Sequence, residues 1–126
     1  SSTHFTVGTD GDTNGDTDKY IAMLWASVDG ICKVGSYTGN GTGQTITTGF
    51  QPKFLIVKRT EAAQNWFVLD TVRGWGSGND NYLELNDTDA QASYDFGAPT
   101  STGFTLTASG DGYNANGEVY IYYAHA

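Results

Sequence analysis

Four oxygen-bearing side chains at alternate positions, Asp10, Asp12, Asn14 and Asp16, with Gly15 inside the run, form the pattern in this sequence with the most specific chemistry. Calcium is a hard cation that takes roughly six to eight oxygens, and the front of a calcium loop presents them at alternate positions around a glycine. The bidentate acid that should close such a loop is missing, because Ile21 stands in its place. A calcium ion held by Asp10, Asp12, Asn14 and Asp16 would need a backbone carbonyl, water or a distant carboxylate to complete its shell. The competing expectation is a solvated acidic turn at Asn14-Gly15.

Other reactive groups are sparse. His4 and His125 are the only histidines, one near each end, and two acids such as Glu61 and Asp70 or Glu84 and Asp87 are common on β domains without forming a glycosidase pair. Catalysis is therefore not expected. Cys32 is alone, so no intrachain disulfide can form, and beside Ile31 and Val34 it reads as a small core residue. Sugar binding is better equipped: Gln64-Asn65-Trp66, Arg73-Gly74-Trp75 and Asn79-Asp80-Asn81-Tyr82 combine flat aromatic faces with planar polar groups. The expected contact residues are Trp75, Asn79, Asp80, Tyr82 and Tyr113. Trp75 sits in a glycine-rich loop, where it is either a plug folded back on the domain or an exposed platform.

The elements that must position these groups are short strands. Runs at 4–8, 19–28, 31–37, 44–48, 53–60, 65–71, 82–85, 92–96, 104–108 and 118–125 are separated by Gly, Asn, Asp or Pro. They predict an all-β, antiparallel β-sandwich, jelly-roll-like, with about ten short strands. Phe54 to Val57 is apolar on both faces and charged at its ends, as in a central strand of a covered sheet. No segment reads as more than one helical turn, and Gly39-Asn40-Gly41-Thr42-Gly43 reads as an exposed turn. Phe5-Thr6-Val7 followed after an acidic loop by Tyr20-Ile21-Ala22-Met23-Leu24-Trp25-Ala26 resembles Phe104-Thr105-Leu106 followed by Tyr120-Ile121-Tyr122-Tyr123-Ala124-His125-Ala126. Each copy predicts a β-hairpin, so residues 1–126 form a single sandwich domain in which 1–28 could close a preceding repeat.

Composition narrows the function. The chain of 126 residues has 17 Gly, 17 aromatics (3 Trp, 8 Tyr, 6 Phe) and a net charge of −8, which suits a turn-rich β domain with a real core. With only six Lys and Arg it has no surface for tracking phosphates, so nucleic acid and anionic membranes are not expected partners. No apolar run approaches the ~20 residues that span a bilayer, and the first residues do not read as a signal peptide. Two Asn-x-Thr sequons, at Asn40 and Asn86, would matter only in a glycosylating route.

Several stretches carry a family resemblance over nearly the whole chain. These are Lys33-Val34-Gly35-Ser36-Tyr37-Thr38-Gly39-Asn40-Gly41, Gly49-Phe50-Gln51-Pro52 running into Val57-Lys58-Arg59-Thr60, Asn65-Trp66 with Asp70-Thr71-Val72-Arg73-Gly74, and the closing Gly103-Phe104-Thr105-Leu106 to Tyr120-Ile121-Tyr122-Tyr123-Ala124. Together they resemble a β-rich domain of tailed-bacteriophage tail and tail-fibre proteins. The resemblance implies a non-enzymatic virion-surface, extracellular module, in trimers or a repeating assembly with copies of itself, that contributes to host adsorption by contact with glycan or protein. It supplies no catalytic residues, and the acidic loop at 10–18 departs from it. The other reading is a structural decoration protein or self-assembling fibre subunit whose edge strands pair with neighbouring copies.

Overall fold

The computed structural model describes residues 3–107 and 110–126, and the last residue of the strand expected at 104–108 lies outside them. Nine strands and one helical turn occur among the described residues. A six-stranded sheet contains β1 (Cys32–Thr38), β3 (Phe54–Arg59), β4 (Phe67–Asp70), β5 (Asp80–Glu84), β6 (Ala92–Tyr94) and β9 (Val119–His125), in the order β1-β9-β3-β4-β5-β6. A smaller sheet has the order β2-β8-β7, from Gln44–Thr47, Gly103–Leu106 and Pro99–Thr100. Every pairing is antiparallel. The result is an all-β sandwich, as the short alternating runs require.

The core lies between the sheets. Alternation in β9 turns Tyr120, Tyr122 and Ala124 inward, where they meet Leu55 and Val57 of β3, Leu69 of β4 and Phe104 and Leu106 of β8. Tyr37 stacks on Tyr120 with ring centroids 5.2 Å apart and donates its buried hydroxyl to the Tyr113 carbonyl at 2.6 Å. Lys58 and Arg59 close the far end of β3, where the Arg59 guanidinium pairs with Glu118 at 2.7 Å. β3 is central, between β9 and β4, which explains its unbroken apolar run.

The two expected hairpins do not form. Residues 4–8 and 19–28 contain no strand, and the acidic segment between them makes one helical turn, α1 (Gly11–Asn14). In the second copy, the strand holding Phe104 belongs to the small sheet and the strand holding Tyr120 to the large one. The likeness is one of composition, because similar apolar strings acquire partners through the elements around them and not through their own pattern. The 39–43 segment joins β1 to β2 with Asn40, Thr42 and Gly43 exposed, as expected, but its start is anchored: Gly39 is buried, and a Cβ there would stand 2.2 Å from the Ala115 carbonyl oxygen.

An apolar row crosses the outer face of the large sheet, with Lys58, Asp70 and His125 on the same face beyond its ends. Registered pairs place Val34, Tyr123, Ile56, Val68 and Leu83 in one row across five strands. Residues 23–25 lie over this face, with the Trp25 ring 5.4 Å from that of Tyr123, and Ser27 hydrogen-bonds Val34 N at 3.0 Å on the edge strand. Ile21 and Leu24 project the other way and are 95% and 72% exposed.

Leu69 of β4 and Val72 of the turn after it separate core from surface within four residues, since Leu69 is fully buried and Val72 almost fully exposed. Leu69→Ala is expected to lower the unfolding free energy by about 2–5 kcal/mol, and Val72→Ala by less than ~0.5 kcal/mol. Urea unfolding checks both; similar losses would contradict the packing described.

Candidate functional site

The groups with chemical potential gather where the inner face of β4–β6 meets the loop before β9. Phe67 on β4, Tyr82 on β5 and Tyr94 on β6 project there by alternation, and Phe96 follows β6. They and residues 110–113 line a recess of about 290 Å³. The rings interlock: Phe96 lies 4.5 Å from Tyr113 and 5.2 Å from both Phe67 and Tyr82, while Tyr94 stands 5.9 Å from Tyr113. Two glycines let the loop lie on these rings. A Cβ at Gly110 would stand 2.1 Å from the Tyr113 ring, and one at Gly112 would stand 2.2 Å from Phe67. Burial, together with the nearby Tyr94 hydroxyl and the charges of Asp95 and Asp80, pushes the Tyr113 phenol up, and burial with Glu84 does the same to Tyr82. Both hydroxyls are therefore neutral hydrogen-bonding groups at physiological pH. Asp111 supplies a carboxylate at the rim.

The expected contact residues divide between this recess and the core. Tyr82 lines the recess half-buried, whereas Tyr113 forms only its floor: it is 3% exposed, belongs to the core cluster and donates its hydroxyl to the Asp95 carbonyl at 3.3 Å. Asn79 is exposed on its turn and does not line it. Trp75 is 3% exposed, donates Nε1–H to the Gly97 carbonyl at 2.8 Å and sits edge-on to Phe104, so it is a plug and not a platform. Asp80 is fully buried and, unlike the exposed contact residue expected, holds the backbone: one oxygen accepts from Gly76 N at 2.8 Å, the other from Phe96 N at 2.9 Å and Gly97 N at 3.2 Å. A carboxylate with three backbone donors is spent on the fold. Tyr94 and Phe96 escape the sequence reading because β6 is short and exposed, and only the fold brings it beside Tyr113.

The acidic residues are arranged otherwise than the sequence suggests. Asp10 caps α1, accepting from Asp12 N at 2.9 Å, and the Asn14 amide donates to the Gly8 carbonyl at 2.8 Å. Asp10, Asp12, Asn14 and Asp16 thus follow a helical turn instead of the alternating loop that would face one ion. Among the described residues the acids that converge are Glu84, Asp87 and Asp89, with one oxygen from each within 4.8 Å of the others. Two of them already accept hydrogen bonds, Glu84 Oε2 from Asn65 Nδ2 at 2.6 Å and Asp87 Oδ1 from Thr88 N at 2.6 Å. Asp70, half of another imagined pair, is bound to Arg73, whose Nε lies at 2.5 Å and backbone N at 2.8 Å. Burial raises its pKa, but these bonds, the guanidinium charge and the Val72 N–H outweigh it and hold the carboxyl below its ordinary value. Cys32 is half-exposed on the edge strand, not in the core, and its thiol donates to the Ala26 carbonyl at 3.2 Å. His125 Nδ1 lies 3.0 Å from the Tyr123 hydroxyl on the exposed face.

The family described as Domain of unknown function (DUF7483) matches residues 1–126, and the chain belongs to it. No curated protein and no solved structure matches the chain.

Burial pushes the Asp80 carboxyl above its ordinary value, the three backbone donors pull it back, and Asp95 adds a smaller upward push. The folded state therefore holds this proton more tightly than the unfolded chain. Stability from Asp80 falls as pH rises from the ordinary carboxylate value to the raised one. Asp80→Asn should abolish that slope and, by aiming an amide at donors, cost about 1–3 kcal/mol at neutral pH. Urea unfolding at several pH values checks this; an identical slope in the variant would refute it.

Proposed function

We propose that the chain is a non-enzymatic surface module of a bacteriophage virion, a component of the tail or tail fibre that contributes to host adsorption by contact with glycan. The observation that carries this reading is the recess shared by Tyr82, Tyr94 and Tyr113. Its volume of about 290 Å³ is near the lower end of ligand sites, enough for one sugar ring. Aromatic walls would take the apolar face of a pyranose, while the Tyr82 and Tyr94 phenols and the Asp111 carboxylate would meet its hydroxyls. The family resemblance supports the virion and the extracellular setting, and several copies in one assembly would multiply a weak single-site affinity.

Tyr94 is half-exposed and outside the core cluster, so it can be removed without breaking the sandwich. On a glycan array of host-surface polysaccharides the parent chain should bind, and Tyr94→Ala should weaken the interaction about tenfold, or ~1.4 kcal/mol. Binding that is absent in the parent, or equal in the variant, removes this reading.

Calcium, proposed as the cofactor, finds its best-placed oxygens on Glu84, Asp87 and Asp89. It should raise the melting temperature of the parent and leave that of Asp87→Asn/Asp89→Asn unchanged. No shift in the parent would return these acids to a solvated turn.

The second reading is a structural building block that associates with copies of itself. It is favoured by the apolar row on the outer face of the large sheet.

A further inference from the structure

The segment over the outer face is apolar on both sides. Met23 and Trp25 turn toward the sheet, Ile21 and Leu24 turn away, and no residue from 20 to 28 carries a charge, although the chain has 14 acidic groups. Two clefts flank this segment. One, of about 170 Å³, lies between Trp25 and Val34, Ile56 and Ile121. The other, of about 260 Å³, is bounded by Met23, Trp25, Trp66, Leu85 and Asn86. A cavity of roughly 150 Å³ accepts a benzene ring, so either cleft can take an aliphatic side chain. Protruding side chains and the hollows to receive them therefore occur in one patch, which is what a two-fold interface between identical surfaces demands.

We propose that two copies of this chain pair through this face, with Ile21 and Leu24 of one copy seated in the apolar clefts beside residues 23–25 of the other. The proposal rests on the reading of the chain as a self-associating building block, and names the surface and the partner. Charge agrees with a second copy as occupant. None of the cleft-lining residues is charged, so two molecules of net charge −8 meet through their neutral parts. A basic partner would be drawn to the carboxylates elsewhere on the surface.

The test is molar mass against concentration by sedimentation and light scattering, on the full chain and on two variants. Ile21→Asp/Leu24→Asp alters only projecting side chains, and Ile121→Asp places a charge in a cleft. The parent should move from one chain to two as concentration rises, and each variant should require at least a tenfold higher concentration. Ile21→Ser/Leu24→Ser, a milder change, should act in the same direction, and far-UV spectra should match throughout. A parent that stays at one chain overturns both the building-block reading and this interface. A parent that associates while Ile21→Asp/Leu24→Asp associates equally well overturns this interface alone, leaving association to another surface. Crosslinking extends the test in a Cys32→Ser background: Leu24→Cys chains mixed with Val34→Cys chains should give a disulfide between the two populations, because Leu24 projects and Val34 walls a cleft, and its absence counts against the interface.

Discussion

A sandwich must repeatedly carry its chain from one sheet to the other, and each crossing strips backbone N–H and C=O groups of their ladder partners. Two buried polar side chains meet that demand. Asn114, fully buried, takes the 39–44 crossing between β1 and β2: its Oδ1 accepts from Asn40 N at 3.1 Å and Gln44 Nε2 at 2.8 Å, and its Nδ2 donates to the Thr42 carbonyl. Asp80 serves the crossing from β6 to β7 through Phe96 N and Gly97 N, and it also fixes the 74–79 turn through Gly76 N. A buried polar group is costly unless satisfied, so each residue tolerates only this arrangement of its loops. Tyr120 works in the same way, accepting from Ala115 N and donating to the Asp111 carbonyl, both at 2.9 Å.

The unequal size of the sheets follows from where those crossings fall. Only β2, β7 and β8 enter the second layer, against six strands in the first. Core packing is dense where the small sheet covers β9 and β3. Toward β4–β6 the inner aromatics Phe67, Tyr82 and Phe96 meet one another and the 110–113 loop, and the recess opens among them. One loop therefore does two jobs: through Asn114 it clasps the β1–β2 corner, and through Asp111, Gly112 and Tyr113 just before it, the same loop walls the recess.

Sequence reading succeeds where burial and alternation are strong. β3 and β9 are visible from Phe54 to Val57 and from Tyr120 to Ala124, because each residue's face agrees with the pleat. It fails where partner identity decides. Nothing in Asp80 itself separates a sugar-binding carboxylate from a loop clamp, since the distinction lies in three N–H groups, two of them sixteen and seventeen residues away. Trp75 is ambiguous in sequence for the same reason, as its carbonyl acceptor is on Gly97. The alternate acids from Asp10 to Asp16 match a calcium loop in spacing, but a cap at Asp10 closes a helical turn that points successive side chains in different directions.

The contrast between residues 120–126 and 20–26 carries the last step. Both are uncharged, aromatic-rich and flanked by loops of Gly, Asn and Asp, yet β9 lies between β1 and β3 while residues 20–26 have no strand partner. A six-stranded sheet has only two edges, and the β1 edge holds the end of the segment, through Ala26, Ser27 and Val28. Burying Ile21 and Leu24 against a second chain would recover at most about 1.5–3 kcal/mol each, or roughly 6–12 kcal/mol for four side chains. Association itself costs ~4–15 kcal/mol. The difference is small, so pairing through this face is weak for isolated domains and becomes strong only where neighbouring copies are held at high effective concentration, as in a repeating surface assembly.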